Sequence, residues 1–170
     1  MVCDATLSEK IRNLRLVVFD FDGVFTDNAV YFSQDGVEMV RCSRSDGLGL
    51  RRLEQAGLQV IVVSTEENPI VSKRCGKMKV RCIQGCPDKV TILENLRTEF
   101  GVTWEEIAYL GNDINDTGCL ERVGLPMLVA DAFAEVVPLA RYQTKTNGGY
   151  GAVREVCDLF YTVRIGKALA

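Results

Sequence analysis

Two aspartates set two residues apart, Asp20 and Asp22, close the uncharged run Leu16–Phe19 and are followed at once by Gly23. An unbroken apolar run marks a strand buried on both faces of a parallel sheet, since a half-exposed strand would alternate in polarity. Asp20 then falls at the strand's carboxyl end, the edge of an open α/β sheet over which ligands bind. Gly23 lets the backbone turn immediately and brings both carboxylates to one pocket. Two unpaired carboxylates in one pocket repel, and a divalent cation is the simplest compensation. Asp22-Gly23 alone reads equally well as an ordinary turn.

Two later apolar runs also end in polar clusters. Leu58–Val63 finishes in Ser64-Thr65, and Ile107–Leu110 delivers Gly111-Asn112-Asp113-Ile114-Asn115-Asp116. Lys89 opens a helical segment after Pro87-Asp88. Together these groups suit phosphoryl transfer: a carboxylate nucleophile, a hydroxyl and an ammonium for the equatorial oxygens, a second carboxylate to shuttle a proton, and a metal against the phosphate charge. The sequence has no histidine, which removes the usual general base, the Ser-His and Cys-His pairs and most zinc sites. Phosphoryl transfer by carboxylates survives that constraint.

The elements that must position these groups follow from periodicity. Residues 1–13 read as a polar leader that contributes little, with a short helical piece near Leu7–Ile11. Asn28–Ser43 predicts a hairpin turning at Ser33–Gly36, its first arm apolar on both faces, so that it covers the pocket, packs on another subunit, or is a plain excursion. Ser45-Asp46 can cap a helix over Gly47–Gln55 with Leu48, Leu50 and Leu53 inward. A helix after Pro69 carries Arg74 and Lys77 on one face, followed by a strand at Val80–Ile83 and a helix over Lys89–Phe100. Thr103 and Glu106 have capping-box spacing. The remainder predicts a helix at Thr117–Val123, a last strand at Met127–Ala130, a helix Ala132–Ala140 capped by Asp131, a glycine-rich loop Thr144–Gly151 and a helix from Ala152 to about Val163. Strand and helix alternate through the middle, which gives a three-layer αβα unit on a parallel sheet.

Length and charge narrow the field. A chain of 170 residues fits one domain, residues 1–170, with no room for a large second one. The net charge of −3, from 20 basic and 23 acidic residues without a basic block, speaks against nucleic acid as the main partner. Seven cysteines, an odd number without a C-x-x-C pair, read as free thiols in a reducing compartment. No apolar run approaches the roughly 18 residues of a membrane span, so the expectation is a soluble cytoplasmic protein without a membrane partner.

The string Asp20-Phe21-Asp22-Gly23-Val24-Phe25-Thr26-Asp27 resembles the nucleophile motif of the haloacid dehalogenase superfamily, D-x-D-G-V-x-T-D, and the resemblance extends from Leu14 to about Phe160 with all four motifs in order. It implies an HAD-like, Rossmannoid fold and a magnesium-dependent phosphatase. Asp20 is implied as the nucleophile that forms an aspartyl-phosphate, and Asp22 as the acid and base that also reaches Mg²⁺ through its backbone carbonyl. Ser64 resembles the second-motif hydroxyl and Lys89 the third-motif lysine. The fourth motif departs from G-D-D-x-x-D: Asn112 stands where a carboxylate normally binds the metal, with Asp113 as a further candidate ligand and Asp116 in support. An amide oxygen can still ligate a hard cation, at the cost of one negative charge.

The absence of a large insert, the hairpin at about 28–43 and the tail at about 144–170 resemble the capless group of the superfamily, which includes phosphatases of phosphorylated 2-keto-3-deoxy sugar acids. By that resemblance the chain forms a homotetramer in which hairpins meet and neighbours complete each site. Ser64-Thr65-Glu66 is closer to the T-G-E of the nonulosonate 9-phosphate enzymes than to the G-R of the octulosonate 8-phosphate enzymes. Thr65 and Glu66 are thereby implied in sugar binding, and Arg74 and Lys77 in pairing with the substrate carboxylate of a neighbouring subunit. Glu66 could equally cap the helix entered at Pro69, and the basic face could simply be solvated. The leading expectation is a nonulosonic acid 9-phosphate phosphatase; the alternatives are octulosonate 8-phosphate hydrolysis and a non-catalytic oligomerisation module like that attached to some CMP-sialic acid synthetases.

Overall fold

The computed structural model describes residues 5–166. In chain order it comprises α1 (Ala5–Asn13), β1 (Leu16–Phe19), β2 (Thr26–Phe32), β3 (Glu38–Cys42), α2 (Ser45–Gln55), β4 (Gln59–Val63), α3 (Ile70–Met78), β5 (Arg81–Ile83), α4 (Lys89–Phe100), β6 (Ile107–Gly111), α5 (Thr117–Leu120), β7 (Leu125–Leu128), β8 (Tyr142–Gln143) and α6 (Ala152–Ile165). Six strands form one parallel sheet in the order β5-β4-β1-β6-β7-β8, while β2 and β3 form a separate antiparallel hairpin. This is the three-layer αβα arrangement with a hairpin insert and no large cap.

β1 is central, and all four of its residues are buried. Its pleat divides them between two cores: Val17 and Phe19 join the side covered by α1, α2, α3 and α6, whereas Leu16 and Val18 join the side covered by α4 and α5. The unbroken apolar run is therefore needed, because a polar residue at any of the four positions would sit in one core or the other. In α4, Asp88 accepts the Thr91 N–H at 3.1 Å and Gly101 closes the other end, so the predicted helix has its predicted limits. The capping box at Thr103 and Glu106 also forms, around a single 3-10 turn.

Several expectations change. The leader is no bystander, since Ile11 is fully buried and α1 lies against α6. Leu48 is 57% exposed; two residues from Leu50, it lies on the far side of a 3.6-residue turn and cannot share the face of Leu50 and Leu53. No helix forms over 132–140, where Pro138 lacks a donor and the Phe133 N–H is drawn to Asn112 O at 2.9 Å, leaving one 3-10 turn at Val137–Leu139. The strand at 125–128 is not the last, because β8 adds beyond it. The helix expected at 117–123 ends at Leu120, where the Arg122 and Val123 N–H groups converge on Cys119 O. Six cysteines are free thiols and the seventh, Cys3, lies outside the described residues. No helix among the described residues is long and apolar enough to cross a membrane.

The hairpin stands away from the sheet. Val30, Tyr31 and Phe32 on β2 and Val37 and Met39 opposite are all exposed, Phe32 by 70%. Asn28, with a positive φ of 60°, lies where the β2–β3 register shifts between Thr26 and Val30.

Asp46 does not cap its own helix. Its Oδ1 accepts the Arg154 N–H at 3.2 Å in the first turn of α6, and its Oδ2 is buried without a partner. Burial pushes its carboxyl from 3.8 up to about 6, against the pull of that donor and of the Arg74 and Arg154 charges. A carboxyl raised on folding favours the native state fully below its unfolded value near 3.8 and loses that contribution as pH climbs through about 6. Asp46→Asn carries no charge to bury. Urea unfolding at pH 4 and pH 7.5 is expected to show the stability difference moving toward the variant by up to roughly 3 kcal/mol at the higher pH; a pH-independent difference would rule out the buried charge as its cause.

Candidate active site

The chain runs from β1 through β4 to β5 on one side of the sheet and returns to build β6, β7 and β8 on the other. The gap between the carboxyl ends of β1 and β6 is thus a topological switch point, where open α/β sheets leave a crevice. A cleft of about 170 Å³ opens there, lined by Asp20, Asp22, Thr65, Asn112 and Asp113 among others.

Asp20 sits at the tip of β1, 3% exposed. Its Oδ1 accepts the Phe21 N–H at 2.7 Å and lies 2.8 Å from Lys89 Nζ. The same ammonium donates to Asp116 Oδ1 at 2.8 Å, so one buried cation joins two buried carboxylates. Asp116 is held on every side: Tyr109 Oη donates to its Oδ1 at 2.6 Å, and the Asn112 and Asp113 N–H groups donate to its Oδ2 at 2.9 and 3.4 Å. It thereby fixes both Lys89 and the loop after β6. Burial opposes the Lys89 charge, but Asp20 and Asp116 outweigh it and raise its pKa above the ordinary value. Asp20 is pushed up to about 7 by burial and then by Asp116, with Lys89 pulling the other way.

Asp22, half-buried, is raised to about 6 by burial first and then by the charge of Glu66, with Lys89 opposing. Its neighbour Gly23 turns the chain with φ 74°, and a Cβ there would overlap the Asn112 amide nitrogen. The residue demanded by the turn is also demanded by the close approach of Asn112. The donor set around the cleft is carboxylate and amide oxygen without sulfur or imidazole, and Asp20 and Asp22 are held up by burial and by nearby carboxylates. A hard divalent cation fits such a set, since its charge would relieve both effects.

The other sequence-predicted residues divide into two groups. Ser64, at the end of β4, is buried, and its Oγ accepts the Glu66 N–H at 3.0 Å, which leaves the hydroxyl proton to donate. Thr65 lines the cleft. Glu66 Oε1 accepts the Asn68 N–H at 2.7 Å ahead of α3, the capping reading, although Glu66 also borders a second hollow with Asp22 and Glu38 on the hairpin side. Arg74 and Lys77 do not meet these groups. They border a separate cleft of about 340 Å³ between α2 and α3, and Arg74 donates to Ser43 O at 2.7 Å.

Two features escaped the sequence reading. Tyr109 is a lone hydroxyl in an otherwise apolar strand, and a buried hydroxyl needs a partner; that was a usable signal. Arg44 and Arg51 join Arg74 and Lys77 around the α2–α3 cleft, which has no acidic lining residue. Nothing in the local sequence of α2 links it to α3.

A model of the haloacid dehalogenase-like hydrolases matches residues 67–156. The 3-deoxy-D-manno-octulosonate 8-phosphate phosphatase KdsC of Escherichia coli is 35% identical over 156 residues, 91% of this chain and 83% of that protein. The crystal structure of the Yersinia pestis phosphatase of the same name superposes with a TM-score of 0.90 at 31% identity, over 95% of this chain and 88% of the other. That from Moraxella catarrhalis, in complex with a magnesium ion, a phosphate ion and a KDO molecule, gives 0.89 at 29% identity over 94% and 92%.

Asn112→Asp restores a negative charge beside Asp20 and Asp22. It is expected to tighten Mg²⁺ binding on the order of tenfold in a calorimetric titration, and an unchanged isotherm would remove position 112 from the metal shell.

Proposed function

This chain belongs to the haloacid dehalogenase-like hydrolases, and we propose that within them it is a magnesium-dependent phosphatase of 2-keto-3-deoxy sugar acid phosphates, acting on 3-deoxy-D-manno-octulosonate 8-phosphate. The observation that carries the reading is Lys89, buried 2.8 Å from both Asp116 and Asp20, the latter lining the cleft. An ammonium so placed offsets phosphate charge beside a carboxylate positioned to attack.

In this reading Asp20 attacks phosphorus, the bond to the sugar oxygen breaks, and Asp22 gives that oxygen its proton. Asp22 then takes a proton from the water that hydrolyses the acyl phosphate and regenerates Asp20. A carboxyl near pKa 6 suits both duties at neutral pH. Ser64 donates to a phosphate oxygen. Asp20, the Asp22 carbonyl and Asn112, with Asp113 adjacent, would hold a magnesium ion, which would supply charge stabilisation for the phosphoryl group. Asp116 serves by holding Lys89.

The eight-carbon substrate replaces the nine-carbon one that led the sequence reading. The relatives reported above are octulosonate phosphatases, and Glu66, which favoured the longer sugar, is engaged with Asn68. The intact Asp20, Asp22 and Lys89 speak against a non-catalytic module. We further propose that residues 1–170 form one catalytic unit whose exposed hairpin tip packs against other copies in a homotetramer, where Arg74 and Lys77 reach a neighbour's substrate carboxylate. Five exposed apolar side chains on one hairpin support that packing.

A phosphate-release screen with Mg²⁺ is expected to rank the octulosonate 8-phosphate above nonulosonate 9-phosphates and generic sugar phosphates, with Asp20→Asn inactive; turnover by that variant, or preference for a nine-carbon acid, would refute the assignment. If sites are shared, mixing inactive Asp20→Asn with inactive Arg74→Ala subunits is expected to recover activity on exchange. No recovery despite demonstrated exchange would place Arg74 outside the neighbour's site.

A further inference from the structure

The glycine-rich loop before α6 does not border the cleft. It packs behind the turn that carries Asp22. A Cβ at Gly148 would overlap the carbonyl oxygen of Gly23 and press on Thr26 O, and one at Gly149 would overlap the Thr26–Asp27 backbone. The Gly149 N–H donates to Val24 O at 3.1 Å, and the Arg41 guanidinium both donates to Gly149 O at 3.0 Å and stacks on Tyr150 at 3.9 Å from the ring centre. On its opposite side Gly23 faces the Asn112 amide at the same close range. The turn is therefore clasped between Asn112 in front and Gly148 behind, with no space on either side for a side chain.

The clasp is tied to the sheet and to α6 by independent bonds. Asp131, at the exit of β7, accepts the Gly148 N–H at 2.9 Å. Glu155, one turn into α6, accepts from Lys145 N, Thr146 N and Thr146 Oγ1 at 2.9, 3.0 and 2.6 Å. Within the turn, Thr26 Oγ1 accepts the Gly23 N–H at 3.0 Å. The Phe133 N–H, two residues beyond Asp131, holds Asn112 O at 2.9 Å. One short segment, 131–133, thus grips both sides of the gap.

We propose that Gly148, held by Asp131, is a positioning residue for the reaction: it sets from behind the separation between the Asp22–Gly23 turn and Asn112, and so the geometry in which the phosphoryl group and its cation are held. This rests on the phosphatase reading above. The loop touches neither carboxylate; it acts by denying the turn any retreat. Small displacements matter at such a place, because a shift of about 1 Å in a reacting geometry costs on the order of a hundredfold in rate.

Asp131→Ala removes the tether without adding bulk, Gly148→Ala pushes on the turn, and Ile11→Val, a core change in α1 remote from the sheet's carboxyl edge, serves as a generally destabilised control. Amide exchange of residues 21–27, calorimetric Mg²⁺ affinity, and kcat and KM at saturating Mg²⁺ are measured for each. Both loop variants are expected to speed exchange in 21–27 and to weaken Mg²⁺ binding by about tenfold, and to cut kcat by about a hundredfold with KM nearly unchanged. Ile11→Val is expected to melt earlier and leave these values alone. Wild-type exchange and metal affinity in Asp131→Ala, or equal changes in Ile11→Val, would overturn the proposal, and Asp131→Ala decides it if Gly148→Ala does not fold. Should the native enzyme bind no Mg²⁺ and release no phosphate, the phosphatase reading falls and exchange alone decides the positioning role.

Discussion

One fully buried carboxylate governs the site. Asp116 accepts from an ammonium, a phenol and two backbone amides, and those four bonds draw α4, β6 and the loop after β6 to one point. A buried anion with fewer donors would be a liability, since desolvation is offset only by close, well-directed partners. Because Asp116 is so completely engaged, Lys89 is fixed, and Lys89 in turn reaches Asp20. The Asn112 backbone is set by the same bonds, because its own N–H is one of the four. Changes at Tyr109 or Gly111 would therefore be felt at Asp20 without touching it.

Much of this was readable in the chain. The apolar runs at 16–19 and 60–63 are strands because nothing polar interrupts them, and Asp20, Ser64 and Asn112 fall at strand ends for the same reason. Side chains that meet across 27 residues, such as Lys89 and Asp116, were assigned through the motif order and not through local pattern. Local reasoning failed where long-range bonds overrode it. Asp46 and Asp131 each precede or open a helix-like stretch, yet their carboxylates go to Arg154 and Gly148, more than fifteen residues away in each case. Leu48 failed for a simpler reason, the phase of the helix.

The charge of the cleft also has a structural logic. With Asn at 112 the oxygen donors nearest Asp20 carry less negative charge than two adjacent carboxylates would, and the burial that raises Asp20 and Asp22 already strains the charged state. An amide there lowers the repulsion that the folded chain must hold. Relief of buried charge and affinity for a cation would pull in opposite directions at that one position.

β1 is the second element of the chain but the middle of its sheet, and it takes one neighbour from residues 59–63 and the other from 107–111. The backing at 148–149 comes later still. A nascent polypeptide leaving the ribosome amino-terminus first would thus expose Asp20 long before the groups that surround it in the fold exist. The contacts behind the Asp22–Gly23 turn exist only once residues 148–149 have been made, so a chain stopped short of them carries the motif without its support.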